Sequence, residues 1–110
     1  MAASDLKMRL VVNASLKMSP GKIAAQVGHA VSDITEQMCK ADPKMWRRYK
    51  SAGHAKVVLR ASRQELELLA QLHGAFTVRD EGRTEVDPGS LTVVGFAPNS
   101  GVDLRSLSLL

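Results

Sequence analysis

Between Pro20 and Cys39 this chain repeats apolar side chains at steps of three and four: Ile23, Val27, Val31, Ile34 and Met38. That is the period of an α-helix with one buried stripe. Ser19 offers a cap, and Pro20 suits the first turn, where its missing N–H costs nothing. The run before it, LKMRLVVNA (6–14), is rich in Leu and Val and reads as a buried strand. The same alternation continues. ADPKMWRRYKSAG (41–53) reads as a short second helix, with Asp42 to cap it, Pro43 to open it and Gly53 to close it. AKVVLRA (55–61) is a second strand, and Ser62 caps RQELELLAQLHG, a helix that Gly74 ends. AFTVRD (75–80) is a third strand, EGRTEVDPGS (81–90) a loop, and LTVVGFAP (91–98) a fourth strand. The last dozen residues, NSGVDLRSLSLL, carry no decisive period.

The order β-α-α-β-α-β-β points to a small α/β sandwich. Helices between strands favour right-handed crossovers and a partly parallel sheet, and the final pair is free to be antiparallel. Repeats, low-complexity tracts and long linkers are missing, so residues 1–110 are expected to form a single domain. A chain of this length buries a core without a metal or disulfide staple. The one cysteine, Cys39, has no partner for an internal disulfide, which fits a reducing compartment. His29, His54 and His73 stand far apart without cysteine partners, so no metal site is expected. The start, MAASDLKMRLVV, lacks the apolar core and cleavage site of a signal peptide, and no later run reaches membrane-spanning length. The expectation is a cytoplasmic protein with no membrane partner.

Charge is unevenly spread. Residues 1–60 carry eleven basic and four acidic groups; residues 61–110 carry four and seven. A basic surface facing a polyanion explains this, and so does a solvated surface with scattered charge. Aromatic residues are only 4% of the chain, so base-stacking platforms are expected to be scarce.

Two clusters carry chemistry. SPGKIAAQVGHA (19–30) contains a Gly-Lys pair, but the phosphate-binding loop GxxxxGK[ST] needs a hydroxyl after the lysine and a glycine five residues before Gly21. Ile23 and Leu16 occupy those positions, which excludes a nucleotide-hydrolysing loop. A weaker anion site at the helix start, beside Lys17 and Lys22, stays open. On the helix, Lys22, Gln26, His29 and Asp33 fall within roughly 60° of one another, a polar ridge about 120° from the apolar stripe. Ala24, Ala25 and Gly28 form a third side, suited to close packing. The ridge is either an ordinary solvent face or one wall of a site. In RDEGRTEVDPGS (79–90), Asp80 closes a strand, and Arg83 and Thr84 follow in the loop. This is either a capped turn with scattered charge or a functional loop on a rigid scaffold. No Ser-His-Asp order is present, and Cys39 is poorly placed for a nucleophile.

Together, LKMSPGKIAAQVGHA (16–30), RDEGRTEVDPGS (79–90) and TVVGFAP (92–98) resemble the type 2 peptidyl-tRNA hydrolase family, in the family's order and over roughly residues 7 to 98. The resemblance implies a three-layer α/β sandwich, a four-stranded mixed sheet with helices on both faces. It also implies hydrolysis of the ester between a peptide and the terminal ribose of tRNA, recycling tRNA from stalled ribosomes, with peptidyl-tRNA as partner and no cofactor or metal. The family's catalytic positions fall on Lys22, Gln26, His29, Asp80 and Thr84. Lys17, Arg83 and Thr92 fall at substrate-binding positions, and Arg47 and Arg48 on the basic second helix are expected to follow tRNA phosphates. The chain departs from the family at Ser15 (usually Asp), Val27 (commonly Cys), Glu81 (usually small) and Glu85 (usually Gln). A non-catalytic RNA or translation-factor binding module with the same fold is the alternative, and monomer or homodimer is undecided.

Overall fold

A computed structural model describes residues 6–83 and 85–110. Its elements are β1 (Met8–Asn13), α1 (Pro20–Ala41), α2 (Pro43–Ser51), β2 (Lys56–Ala61), α3 (Arg63–Ala70), β3 (Phe76–Arg79) and β4 (Leu91–Phe96). The expected caps are in place. The Ser19 hydroxyl accepts from the Lys22 N–H at 3.1 Å, the Asp42 carboxylate accepts from the Met45 N–H at 3.2 Å, and Ser62 and Glu65 form a reciprocal capping box. The helix after Ser62 is shorter than its pattern suggested. It stops at Ala70, and the chain turns into β3 through Gly74, whose φ of +84° favours glycine.

The strands form one mixed sheet in the order β2-β1-β4-β3. β1 pairs parallel with β2 and antiparallel with β4, and β3 pairs antiparallel with β4. Helices cover both faces. Alternation along β1 sends Met8, Leu10 and Val12 to one side, where Ala30, Ile34 and Met38 of α1 and Met45 and Tyr49 of α2 meet them. Val11 faces the other side, with Leu59, Leu66 of α3, Val94, Phe96 and Leu104.

Two details correct the sequence reading of α1. Its most buried line runs through Ala30, Ile34 and Met38, while Ile23, Val27 and Val31 are only partly buried. Gly95 of β4 explains the close approach: a Cβ there would lie 2.9 Å from the Ile34 Cδ1 and 3.4 Å from the Ala30 Cβ. This turns the helix so that Gln26, on the edge of the ridge, is half-buried. The small-residue side expected to pack closely does not: Ala24, Ala25 and Gly28 are exposed, and beyond its own turn of helix and its chain neighbours no described atom lies within 4 Å of a Cβ built on Gly28.

The tail without a period also has a place. The Arg60 N–H donates to the Ser108 carbonyl at 2.9 Å, and the Leu110 N–H donates to the Val58 carbonyl at 3.0 Å. Leu109 bridges Leu59 in antiparallel sense, so the tail covers the free edge of β2. No helix among the described residues is long and apolar enough to cross a membrane.

Candidate active site

At the end of the sheet where β1 finishes and α1 begins, the two clusters meet. Asp80 follows β3 in phase with Phe76 and Val78, both packed toward α1, so the two-residue period aims its side chain at that helix. There its Oδ1 forms an ion pair with the Lys22 Nζ; the two side chains are only 3% and 12% exposed. The other carboxylate oxygen, Oδ2, accepts the Gly82 N–H at 2.6 Å, closing a turn over the acid. Gly82 is required at this point: its φ is +79°, and a Cβ would lie 2.3 Å from the Pro88 ring. The Asp80 backbone is clamped as well, its N–H donating to Ser90 at 2.9 Å and its carbonyl accepting from Gly89 at 2.7 Å.

Lys22, through its hydrogen bond and its charge and helped by the Gly82 N–H, holds the Asp80 carboxyl below its ordinary 3.8, against the raising effect of burial. The carboxylate therefore stays ionised at neutral pH.

Gln26 stands one turn along α1 from Lys22. Its Nε2 donates to the Thr92 Oγ1 at 2.9 Å, and that hydroxyl donates to the Val78 carbonyl at 3.0 Å. A β-bulge brings Thr92 there. Val78 pairs with Val93 and Arg79 with Leu91, leaving Thr92 unmatched. Thr92 and Val93 consequently both face α1, where regular alternation would have sent Thr92 away. Thr92 is fully buried, so it supports Gln26 and has no surface to offer a substrate directly.

Lys22, Gln26, His29, Asp80 and Arg83 line one cleft of about 190 Å³. His29 is on its outer rim, 57% exposed and 3.7 Å from Asp33. Arg83 is exposed and paired with Glu81 at 2.9 Å. Thr84 lies outside the described residues. Lys17 is exposed in the connection before α1. Arg47 and Arg48 are exposed on α2, near the start of β1 and so at the opposite end of the sheet.

Sequence reasoning missed three interactions here. The Asn13 side chain, buried at the end of β1, donates to the Leu91 carbonyl at 2.9 Å and accepts from Ser15 at 2.9 Å, tying β1 to the bulged strand. A lone Asn closing an apolar strand was the available signal. The Arg79 guanidinium donates to the Gly89 carbonyl at 3.0 Å, bracing the loop from the other face. Glu85, where the resemblance implied a Gln, accepts the Ser19 N–H at 3.0 Å and has φ +59°. The Ser19 side chain first, then that N–H, with Lys22 contributing less, keep its carboxyl below the ordinary range against the raising effect of burial.

The profile of the family described as peptidyl-tRNA hydrolase PTH2 matches residues 6–108. The chain belongs to that family. Among PTH2 relatives, it is 35% identical over 102 residues to human mitochondrial peptidyl-tRNA hydrolase 2, covering 87% of this chain and 57% of the relative. It is 41% identical over 104 residues to the probable peptidyl-tRNA hydrolase 2 of Schizosaccharomyces pombe, covering 89% and 51%. Against the peptidyl-tRNA hydrolase of Haloquadratum walsbyi it is 35% identical over 109 residues, covering 94% and 95%. The chain thus spans a little over half of the eukaryotic PTH2 relatives and nearly all of this archaeal one. The sheet observed here, mixed and covered on both faces, is the one expected from the resemblance to PTH2.

Proposed function

We propose that the protein is a carboxylic ester hydrolase that cleaves the bond between a peptide and the 3′-terminal ribose of tRNA, freeing the tRNA for reuse. The observation that carries this reading is the shielded Lys22–Asp80 pair at the mouth of a cleft, in a chain whose relatives are named for that reaction.

Ester hydrolysis needs a directed water and a stabilised oxyanion. An Asp80 held below its ordinary pKa is a weak base, which supports orienting the water over taking its proton outright. As the water oxygen bonds to the carbonyl carbon, negative charge grows on the carbonyl oxygen and Lys22 offsets it. When the carbon–oxygen bond to the ribose breaks, the proton given up by the attacking water passes to the leaving 3′ oxygen, with Asp80 and Lys22 holding the two oxygens in line. Gln26, fixed by Thr92, positions the ester. His29 and Arg83 meet the substrate at the rim, Lys17 and the α2 arginines Arg47 and Arg48 meet phosphates, and Thr84 joins the set on sequence alone. The proposed setting is cytoplasmic; the word mitochondrial in the mammalian relatives' names marks the rival that fractionation decides.

Release of labelled peptide from purified peptidyl-tRNA tests the reading. The wild-type chain is expected to turn over, with Lys22→Ala and Asp80→Ala each slower by about 100-fold or more. Full activity in both variants would remove the site. No wild-type turnover with tRNA binding retained would leave an RNA-binding module.

A further inference from the structure

We propose that Trp46 and His54 form a stacking platform for an unpaired base on the body of the tRNA, at the far end of the molecule from the cleft. This rests on the hydrolase reading and adds a second recognition point to it. The chain has one Trp and one Tyr, and the fold gathers both at one spot with a histidine. The His54 ring stands 5.6 Å from Trp46 and 5.6 Å from Tyr49, edge-on to both, and Trp46 and Tyr49 are 6.1 Å apart. Tyr49 is fully buried, its hydroxyl donating to the Ala55 carbonyl at 2.9 Å, so it anchors the group. Trp46 is half-buried and His54 exposed, which leaves ring surface for a ligand.

The display of His54 is built in. Its φ of +59° is a conformation that ordinary residues seldom adopt, and it follows Gly53 at φ +109°. The Lys56 ammonium fixes this turn from below, donating to the His54 carbonyl at 2.8 Å and lying 5.5 Å from the Tyr49 ring centre. The stretch of chain that carries the rings is mostly basic. Residues 42–56 hold Lys44, Arg47, Arg48, Lys50 and Lys56, with one acid, Asp42, a turn before Trp46 as the cap of α2. On α2, Lys50 lies about 40° from Trp46 round the helix and Arg47 about 100°, while Lys44 and Arg48 stand exposed on the far side. Aromatic rings beside uncompensated cations hold unpaired bases by their faces and the backbone by its charge.

The distance sets the partner. Twenty residues of α1 separate Lys22 from Asp42, about 30 Å of helix, in a molecule 38 Å long. On this proposal the aminoacylated 3′ end occupies the cleft, and a longer stretch of the same tRNA spans from there to the rings.

Trp46 is the only tryptophan, so its emission reports directly on the platform. Deacylated tRNA is expected to quench it saturably, and the trinucleotide CCA to leave it unchanged. His54→Asn tolerates the backbone and removes the ring. It is expected to raise KM for peptidyl-tRNA about tenfold with kcat unchanged, and to leave hydrolysis of a peptidyl-CCA fragment as in wild type. His54→Phe, which keeps a ring, is expected to restore KM. Unquenched Trp46 at saturating tRNA, an unchanged KM in His54→Asn, or equal losses on both substrates would overturn the platform. If the wild type hydrolyses neither substrate, the hydrolase reading falls, and the quenching experiment still decides the platform.

Discussion

Asp80 sits under opposing influences. Burial raises a carboxyl pKa, and the Lys22 ammonium and the Gly82 N–H lower it; the lowering prevails. The sign of its pH dependence follows. A folded-state pKa below the unfolded 3.8 gives stability that is present above 3.8 and lost as pH falls through the depressed value. Asp80 is therefore expected to stay ionised across pH 5 to 8, seen as a flat side-chain carbonyl shift in carbon NMR. In Lys22→Met the largest lowering influence is gone, and the same titration is expected to move upward. An unmoved midpoint would show that the ion pair is not what holds the acid charged. Glu85 makes a second residue-scale case. Its carboxylate occupies the Ser19 N–H at the positive end of α1, where a substrate phosphate would also be drawn. Glu85→Gln keeps an acceptor for that N–H and removes the charge. Its KM for peptidyl-tRNA is expected to fall by about two- to fivefold at low salt, and less at high salt. The sequence disclosed both acids, and the strand phase of Phe76, Val78 and Asp80 was there to be read. It did not disclose that Glu85 turns back onto Ser19, because that bond joins residues 66 apart through a turn with φ +59°.

Elements were legible where their signals are local. Ser19–Pro20, Asp42–Pro43 and Ser62–Glu65 each act within one turn, and the helices start where those residues stand. The bulge at Thr92 was not legible, because it is a mismatch between strands that only pairing reveals. The tail was not legible either: Ser108–Leu110 is ordered by the open edge of β2 and not by a pattern of its own. The bulge makes Thr92 a support. Thr92→Val keeps the shape and removes the acceptor of Gln26 and the donor to Val78. It is expected to cost about 1–2 kcal/mol in urea unfolding and to lower kcat with little change in folded structure. Gly95 sets how near α1 lies. Gly95→Ala brings a methyl to 2.9 Å from Ile34, and about 1–3 kcal/mol of destabilisation is expected from the same measurement. If Gly95→Ala is neutral, α1 is free to shift, and the Lys22–Asp80 pair is less firmly set than the packing implies.

Across the whole molecule, the basic helix α2 and the cleft stand at opposite ends of the sheet. The basic excess of residues 1–60 was plain in composition, and its concentration on α2, far from the acid loop, needed the fold. So did the aromatic group around His54, gathered from a chain in which aromatic residues are few. Taking one cation away from a bound phosphate lowers the slope of log affinity against log salt by roughly one. Reversing Arg47 and Arg48 to Glu is expected to weaken tRNA binding and flatten that slope by about two or more, measured by filter binding at several salt concentrations. Unchanged binding would show that α2 is only a solvated face. The most direct test of the pair at the cleft is a double-mutant cycle on single-turnover peptide release from peptidyl-tRNA, with Lys22→Ala, Asp80→Ala and both together. Residues acting as one unit lose their function once, so the double variant is expected to be no slower than the slower single one. Losses that multiply, or variants that release peptide at the wild-type rate, would contradict a shared role for Lys22 and Asp80.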